Sequence, residues 1–285
     1  MVRRKERMCY AQGKESKMDN RSIGVFDSGL GGLTMVKALA ALIKNENIIY
    51  LGDTGRVPYG SRSKETITKY AAQNAAFLAG FDIKAMVVAC NTVCSVAFEP
   101  LREAYEMPIY EVVTAPCEAA VKITKNKKIG VIGTAATISS GTYEAKLRQL
   151  DPGIDVCSIP CPLFVPLAEE GFTAQDDEIA ICTAKRYLTI LKDYGIDTLI
   201  LGCTHYPLLT DVISYVVGGE VTLVDSGAQT AKTVAKDLEK KGLLSGGARG
   251  KISYFVTDAT DGFESRASRF LKADIHGMAR QVSLE

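Results

Sequence analysis

From Ser22 onward the chain alternates short apolar runs with stretches of helical period. Ile23 to Phe26 precedes a helix expected from about Leu33, Ile48 to Leu51 one from about Lys64, and Ala85 to Ala89 one from about Val93. Short β-branched and aliphatic runs, each ending in small polar residues and followed by a helix-length stretch, read as buried parallel strands joined by crossover helices. After Pro108 and Pro116 the rhythm restarts at Lys128 to Ile132, continues at Val156 to Ile159, and reaches Thr198 to Leu201. The expected fold class is therefore α/β, with two similar lobes, each a mostly parallel sheet flanked by helices, and a site between them.

The two halves carry a weak internal likeness. Ile23-Gly24-Val25-Phe26-Asp27-Ser28 lies 106 positions before Ile129-Gly130-Val131-Ile132-Gly133-Thr134, and Cys90 precedes Cys203 by 113. Corresponding strand ends thus recur at a nearly constant offset, as in a duplicated unit, although so short a match also arises by chance. A further run, Val221 to Val224, ends in Asp225-Ser226-Gly227 and echoes Asp27-Ser28-Gly29, so the C-terminal part is expected to return to the first lobe. The expected boundaries are 1–21 as an extension, 22–115 plus 225–285 as the first lobe, and 116–224 as the second.

The 285 residues can bury a sizeable core, and 34 lysines and arginines nearly balance 33 aspartates and glutamates. Nothing in that balance points to nucleic acid or an anionic membrane, which leaves a small molecule as the expected partner. Eight irregularly spaced cysteines without a secretory signal indicate free thiols in a reducing compartment, hence a cytoplasmic protein. The first 21 residues hold seven basic and three acidic side chains and no apolar stretch. They read as a mobile tail, or alternatively as a docking or regulatory segment, but neither as a signal peptide nor as a membrane span.

The chemistry concentrates at strand ends, where open α/β sheets bind ligands. In Ala89-Cys90-Asn91-Thr92 and Gly202-Cys203-Thr204-His205-Tyr206-Pro207 an apolar run delivers a cysteine to a polar turn. Asn91 and Thr92 are expected to cap the next helix, and Pro207 to start another. Both thiols would then sit in a helix's positive field, which favours a thiolate. A thiolate can take a proton and a thiol can return one, so two thiols on opposite sides of a small molecule could invert a stereocentre. Each cysteine alone is readily a small buried hydrophobe; the matched pair with polar neighbours argues otherwise. Zinc on Cys90, Cys94, Cys203 and His205 lacks the usual ligand spacing, and a redox dithiol lacks C-x-x-C. Acyl transfer from a cysteine nucleophile near His205 would leave the second thiol idle.

Two further loops accompany the thiols. Phe26-Asp27-Ser28-Gly29-Leu30-Gly31-Gly32-Leu33-Thr34 fails both nucleotide fingerprints, because Thr34 replaces the third glycine of G-x-G-x-x-G and no G-K-[ST] follows. It suits a carboxylate ligand with Asp27 as an acid, base or ammonium partner, and equally a tight turn with a capping aspartate. Gly52-Asp53-Thr54-Gly55-Arg56-Val57-Pro58-Tyr59-Gly60 reads as an exposed loop over the sheet edge, either binding or merely connecting.

These residues carry a resemblance. The chain resembles the glutamate racemases over about Ser22 to Leu271. The matching stretches are Val25 to Gly32, Gly52-Asp53-Thr54 with Pro58-Tyr59-Gly60, Ala89 to Thr92, Cys161-Pro162 with Phe164-Val165-Pro166 and Glu169, Gly202 to Pro207, and Val224 to Gly227. The resemblance implies cofactor-independent interconversion of L- and D-glutamate for peptidoglycan synthesis, with substrate between two lobes and no metal. It implies that Cys90 removes the α-proton of D-glutamate and Cys203, aided by His205, that of L-glutamate. Asp27 and Glu169 would be supporting acidic groups, with Asp53 at the second-strand motif. Substrate contacts would come from Asp27, Ser28, Tyr59, Gly60, Asn91, Thr92, Thr204 and His205, with Thr134 added from the second lobe. A homodimer is implied, and the N-terminal extension admits a peptidoglycan-precursor activator. Aspartate racemases share the two-cysteine plan but usually have Glu where this chain has His205. A two-lobed amino-acid binding protein without catalysis would tolerate alanine at both thiols.

Overall fold

The computed structural model describes residues 18–284; the extension expected at 1–21, and any activator role for it, falls outside them as far as residue 17. The strands are β1 (Ser22–Asp27), β2 (Ile48–Gly52), β3 (Ile83–Val88), β4 (Ile109–Tyr110), β5 (Lys128–Gly133), β6 (Asp155–Pro160), β7 (Thr198–Gly202), β8 (Thr222–Asp225), β9 (Ile252–Val256) and β10 (Ala279–Gln281). The helices are α1 (Leu33–Leu42), α2 (Lys64–Ala79), α3 (Asn91–Val96), α4 (Phe98–Ala104), α5 (Thr114–Ile123), α6 (Ala135–Ser139), α7 (Thr142–Leu150), α8 (Phe164–Glu170), α9 (Glu178–Tyr194), α10 (Thr210–Val217), α11 (Ser226–Lys240) and α12 (Thr260–Leu271).

The strands form two sheets, ordered β10-β9-β2-β1-β3-β4 and β6-β5-β7-β8, and every pairing in them is parallel. Helices cover both faces, which is why β3 and β7 are buried along their whole length and read as continuous apolar runs. The order 2-1-3-4 of the first sheet recurs as 6-5-7-8 in the second, so β1 corresponds to β5 and β3 to β7. The order reverses between β1 and β3, and again between β5 and β7. Connections there leave toward opposite sides and open a crevice at the strand ends. Cys90 follows β3 and Cys203 follows β7, so the thiols occupy corresponding ends of the two crevices.

The two sheets share much of their packing. Ile129, Val131, Ile200 and Val224 of the second sheet join the core of the first. Its other face buries Ile132, Leu199 and Leu201 with side chains of α8, α9 and α10. After β8 the chain leaves the second sheet through α11, which packs against α1 and α5, and finishes with β9 and β10 on the first sheet. Among the described residues no helix is long and apolar enough to cross a membrane.

Candidate active site

A cavity of about 320 Å³ opens where the two sets of strand ends face each other. It is lined by Ser28, Val57, Pro58, Tyr59, Gly60, Asn91 and Thr92 from the first sheet's side, and by Thr134, Val165, Pro166, Glu169, Cys203, Thr204 and His205 from the second. A larger cavity of about 700 Å³ lies beside α4 and α5, but neither Cys90 nor Cys203 lines it. The smaller one is the candidate site, because it gathers residues from corresponding strand ends of both sheets.

Cys90 stands just behind that wall. Its Sγ donates to Ser28 Oγ at 3.6 Å, and the residue is 4% exposed. Burial first, then the Asp27 charge, outweigh the Val93 N–H and the Ser28 hydroxyl and push the thiol up to about 12. The expected thiolate is therefore not found here. Cys90 is itself the N-cap of α3, a six-residue helix, and its field is too small to offset complete desolvation. Asn91 and Thr92 are the first helical residues rather than caps. Asn91 Nδ2 donates to Ser226 Oγ at 3.3 Å, and its Oδ1 accepts from the Tyr143 hydroxyl. Thr92 Oγ1 meets Thr134 Oγ1 at 3.0 Å across the cavity.

Cys203 belongs to a relay. His205 Nδ1 lies 3.9 Å from its Sγ, and His205 Nε2 lies 2.8 Å from Glu169 Oε1. Burial acts most strongly on His205 and lowers its affinity for a proton, but the bonds to Cys203 and Glu169 together prevail and raise it to about 10. Glu169 is likewise pushed up by burial and pulled down further by His205 and Arg266, ending below the usual carboxylate range. The pair is thus an imidazolium held by a carboxylate, with the cation against sulfur. Pro207 starts a single 3-10 turn, Tyr206 to Leu209, and α10 follows only at Thr210. The strong helix field expected at Cys203 is replaced by the charged imidazole.

Asp27 is fully buried beneath the cavity rather than on its wall. Its Oδ2 accepts the N–H groups of Gly29 and Gly32 at 3.1 and 3.0 Å, and Oδ1 has no hydrogen-bond partner among the described residues. Burial raises its pKa, opposed by the His205 charge and the loop amides. Gly31 lets this loop meet the opposite lobe: a Cβ there would lie 2.1 Å from Thr204 Oγ1 and 2.6 Å from His205 Nδ1. Thr34 Oγ1 donates to the Thr204 carbonyl at 3.1 Å.

Asp53 does not reach the cavity. It accepts from Arg56 Nε at 2.7 Å, from Thr257 Oγ1 at 2.8 Å and from the Tyr59 hydroxyl, while Asn74 Nδ2 also donates to that hydroxyl at 3.1 Å. Tyr59, expected as a substrate contact, lines the cavity, while its hydroxyl is committed to Asp53. The Gly60 carbonyl accepts the Ala136 N–H of the second lobe at 3.1 Å. Val57, Pro58, Val165 and Pro166 form an apolar wall; none was named as a site residue from the sequence, although all four lie in stretches quoted above. Among the described residues no three His, Cys, Asp or Glu side chains converge as metal ligands. Cys94, weighed as one, donates to the Val88 carbonyl at 3.2 Å.

The chain matches the Asp/Glu/Hydantoin racemase family over residues 23–234. It is 46% identical over 266 residues to the glutamate racemase of Geobacter metallireducens, covering 93% of this chain and 97% of that one. The chain belongs to the glutamate racemase family. Its fold is similar to the crystal structure of a glutamate racemase isoform from Bacillus anthracis, with a TM-score of 0.89, 39% identity and coverage of 93% and 98%. It is also similar to the glutamate racemase of Francisella tularensis in complex with D-glutamate, with a TM-score of 0.88, 40% identity and coverage of 94% and 99%. Membership in this racemase family makes the chain an amino-acid racemase and sets aside the reading as a binding protein without catalysis.

Proposed function

We propose that this chain interconverts L- and D-glutamate by proton transfer between Cys90 and Cys203, without a cofactor, as a cytoplasmic source of D-glutamate for peptidoglycan. Glutamate as substrate rests on the family and on relatives that carry that name. The observation that carries the mechanism is the placement of two thiols beyond corresponding strand ends of the two sheets, Cys203 on the cavity wall and Cys90 behind the wall across from it, each with its own acidic partner: Asp27 by Cys90, and Glu169 through His205 by Cys203.

In one direction the Cys203 sulfur, as thiolate, takes the α-proton of L-glutamate while the His205 imidazolium stabilises the charge beside it. Cys90, neutral as its burial favours, gives its proton to the opposite face of the carbanion and yields D-glutamate. Cys203 then carries the proton and Cys90 the negative charge, and exchange with solvent resets the pair. The reverse reaction runs the same steps backward. The assignment of faces follows the family. Ser28, Asn91, Thr92 and Thr204 supply hydroxyl and amide groups for the carboxylates, and the apolar wall keeps water from the carbanion.

Cys90→Ala and Cys203→Ala should each lower racemisation by ~10²-fold or more, the scale of a positioned proton-transfer group, while glutamate still binds by calorimetry. Near-parental turnover by either variant would reject the pair.

A further inference from the structure

The last helix of the first lobe reaches the Cys203 relay from outside. α12 packs against α1 and β10, yet three of its side chains close on α8 and His205. Arg269 Nη2 donates to the Glu169 carbonyl at 3.2 Å, and its Nη1 to the Glu170 carbonyl at 3.5 Å. Arg266 Nη1 stands 3.8 Å from Glu169 Oε2. The Phe270 ring meets the His205 ring edge-on, with centroids 5.9 Å apart.

A helix ends with unpaired carbonyls and the negative end of its dipole. In α8 the backbone that follows satisfies part of this need, with Gly171 N–H on the Ala168 carbonyl and Phe172 N–H on that of Leu167. The carbonyls of Glu169 and Glu170 are met, among the described residues, by the Arg269 guanidinium. A cation there fills both acceptors and offsets the dipole. It also fixes the backbone that carries the Glu169 carboxylate, whose Oε1 faces His205.

We propose that Arg269 is a positioning residue: by capping the final carbonyls of α8 from the opposite lobe, it holds Glu169 against His205 and the imidazole against the Cys203 sulfur. Arg266 gives the carboxylate a second partner that adds little, being long and solvent-exposed. Both arginines belong to the first lobe, so the relay is complete only when the lobes are together. This inference rests on the two-thiol reading.

A double-mutant cycle tests it, with racemisation measured for Arg269→Met, Glu169→Gln and the combined variant. Arg269→Met should lower kcat about 10-fold, less than the ~10²-fold that a full ångström of misplacement costs, and Arg269→Lys should recover most of it. In the Glu169→Gln background the same substitution should change kcat less than about 2-fold, the non-additivity of residues that act through one another. If the methionine variant melts early, Arg269→Gln serves in the same cycle. Equal losses in both backgrounds, or an unmoved kcat on the parental background, would overturn the inference. Cys203→Ala separates the two levels. Racemisation that survives it removes the two-thiol reading itself, whereas an inactive Cys203→Ala beside an unmoved Arg269→Met removes only the role of Arg269.

Discussion

The two thiols occupy matched positions and unlike environments. Cys90 has a hydroxyl and a buried carboxyl as neighbours, and Cys203 has an imidazolium backed by a carboxylate. Their matched placement just beyond corresponding strand ends was legible in the sequence, because an apolar run that stops before a polar turn marks where a parallel strand ends. The protonation of Cys90 was not, because burial depends on the whole chain: a six-residue helix cannot offset its desolvation. Nor was the commitment of the Tyr59 hydroxyl to Asp53 visible, since the sequence shows the residues of the loop and not the direction of each group. The His205 environment carries a stability prediction. Its folded pKa of about 10 lies above its ordinary 6.5, so the native state holds this proton more tightly than the unfolded chain. The resulting stabilisation is complete below pH 6.5 and is lost as pH rises through about 10. Glu169, Cys203 and Asp27 are the titratable neighbours that face the ring. The gap in unfolding free energy between the parent and His205→Asn should therefore shrink across that window in urea titrations. A gap that stays flat or widens contradicts a charged imidazole.

Among the elements, most strands were readable as short apolar runs, the part-exposed edge strands β6 and β8 as well as the buried β3 and β7, while β9 was not named. The runs named for β1, β2, β3, β5, β6, β7 and β8 each fall within about two residues of the strand observed, because crossover helices demand apolar residues at successive positions. β4 spans only Ile109–Tyr110, and β10 is Ala-Arg-Gln with two exposed residues at a sheet edge; neither has an apolar run to read. The start of α3 fell at Asn91 rather than near Val93, since Cys90 itself takes the cap position. The loop after β2 is held by side chains far apart in sequence, Asp53, Arg56, Asn74 and Thr257, and this sets the position of the cavity wall from Val57 to Gly60. Asp53→Ala would strand the Thr257 and Tyr59 hydroxyls and the Arg56 guanidinium. It should cost at least about 2 kcal/mol of stability and raise KM for glutamate more than it lowers kcat. An Asp53→Ala protein as stable as its parent, with an unchanged KM, would show that the loop needs no such anchor.

At the scale of the whole molecule, two copies of one strand order face each other, and inversion of a stereocentre is the chemistry that such opposition allows. The lobes meet through Thr34 on Thr204, Gly60 on Ala136, Thr92 on Thr134, and Arg269 on α8. The sequence foreshadowed the duplication through its nearly constant offset but held no sign of these contacts, which join residues with no common motif. Because a racemisation in achiral solvent has an equilibrium constant of one, any variant must change kcat/KM equally in both directions. Directional differences between the thiols can appear only in kcat and KM separately, or in the fate of the proton. That fate separates two groups from one. A single base returns some of the proton it removed to the opposite face, whereas a second thiol, already exchanged with solvent, delivers a solvent proton. The most direct measurement is therefore the isotopic content of D-glutamate formed during the first few per cent of conversion of L-glutamate in deuterated water. Transfer between Cys90 and Cys203 gives D-glutamate fully deuterated at Cα while the remaining L-glutamate stays almost wholly protiated. D-glutamate that retains the original proton would contradict it.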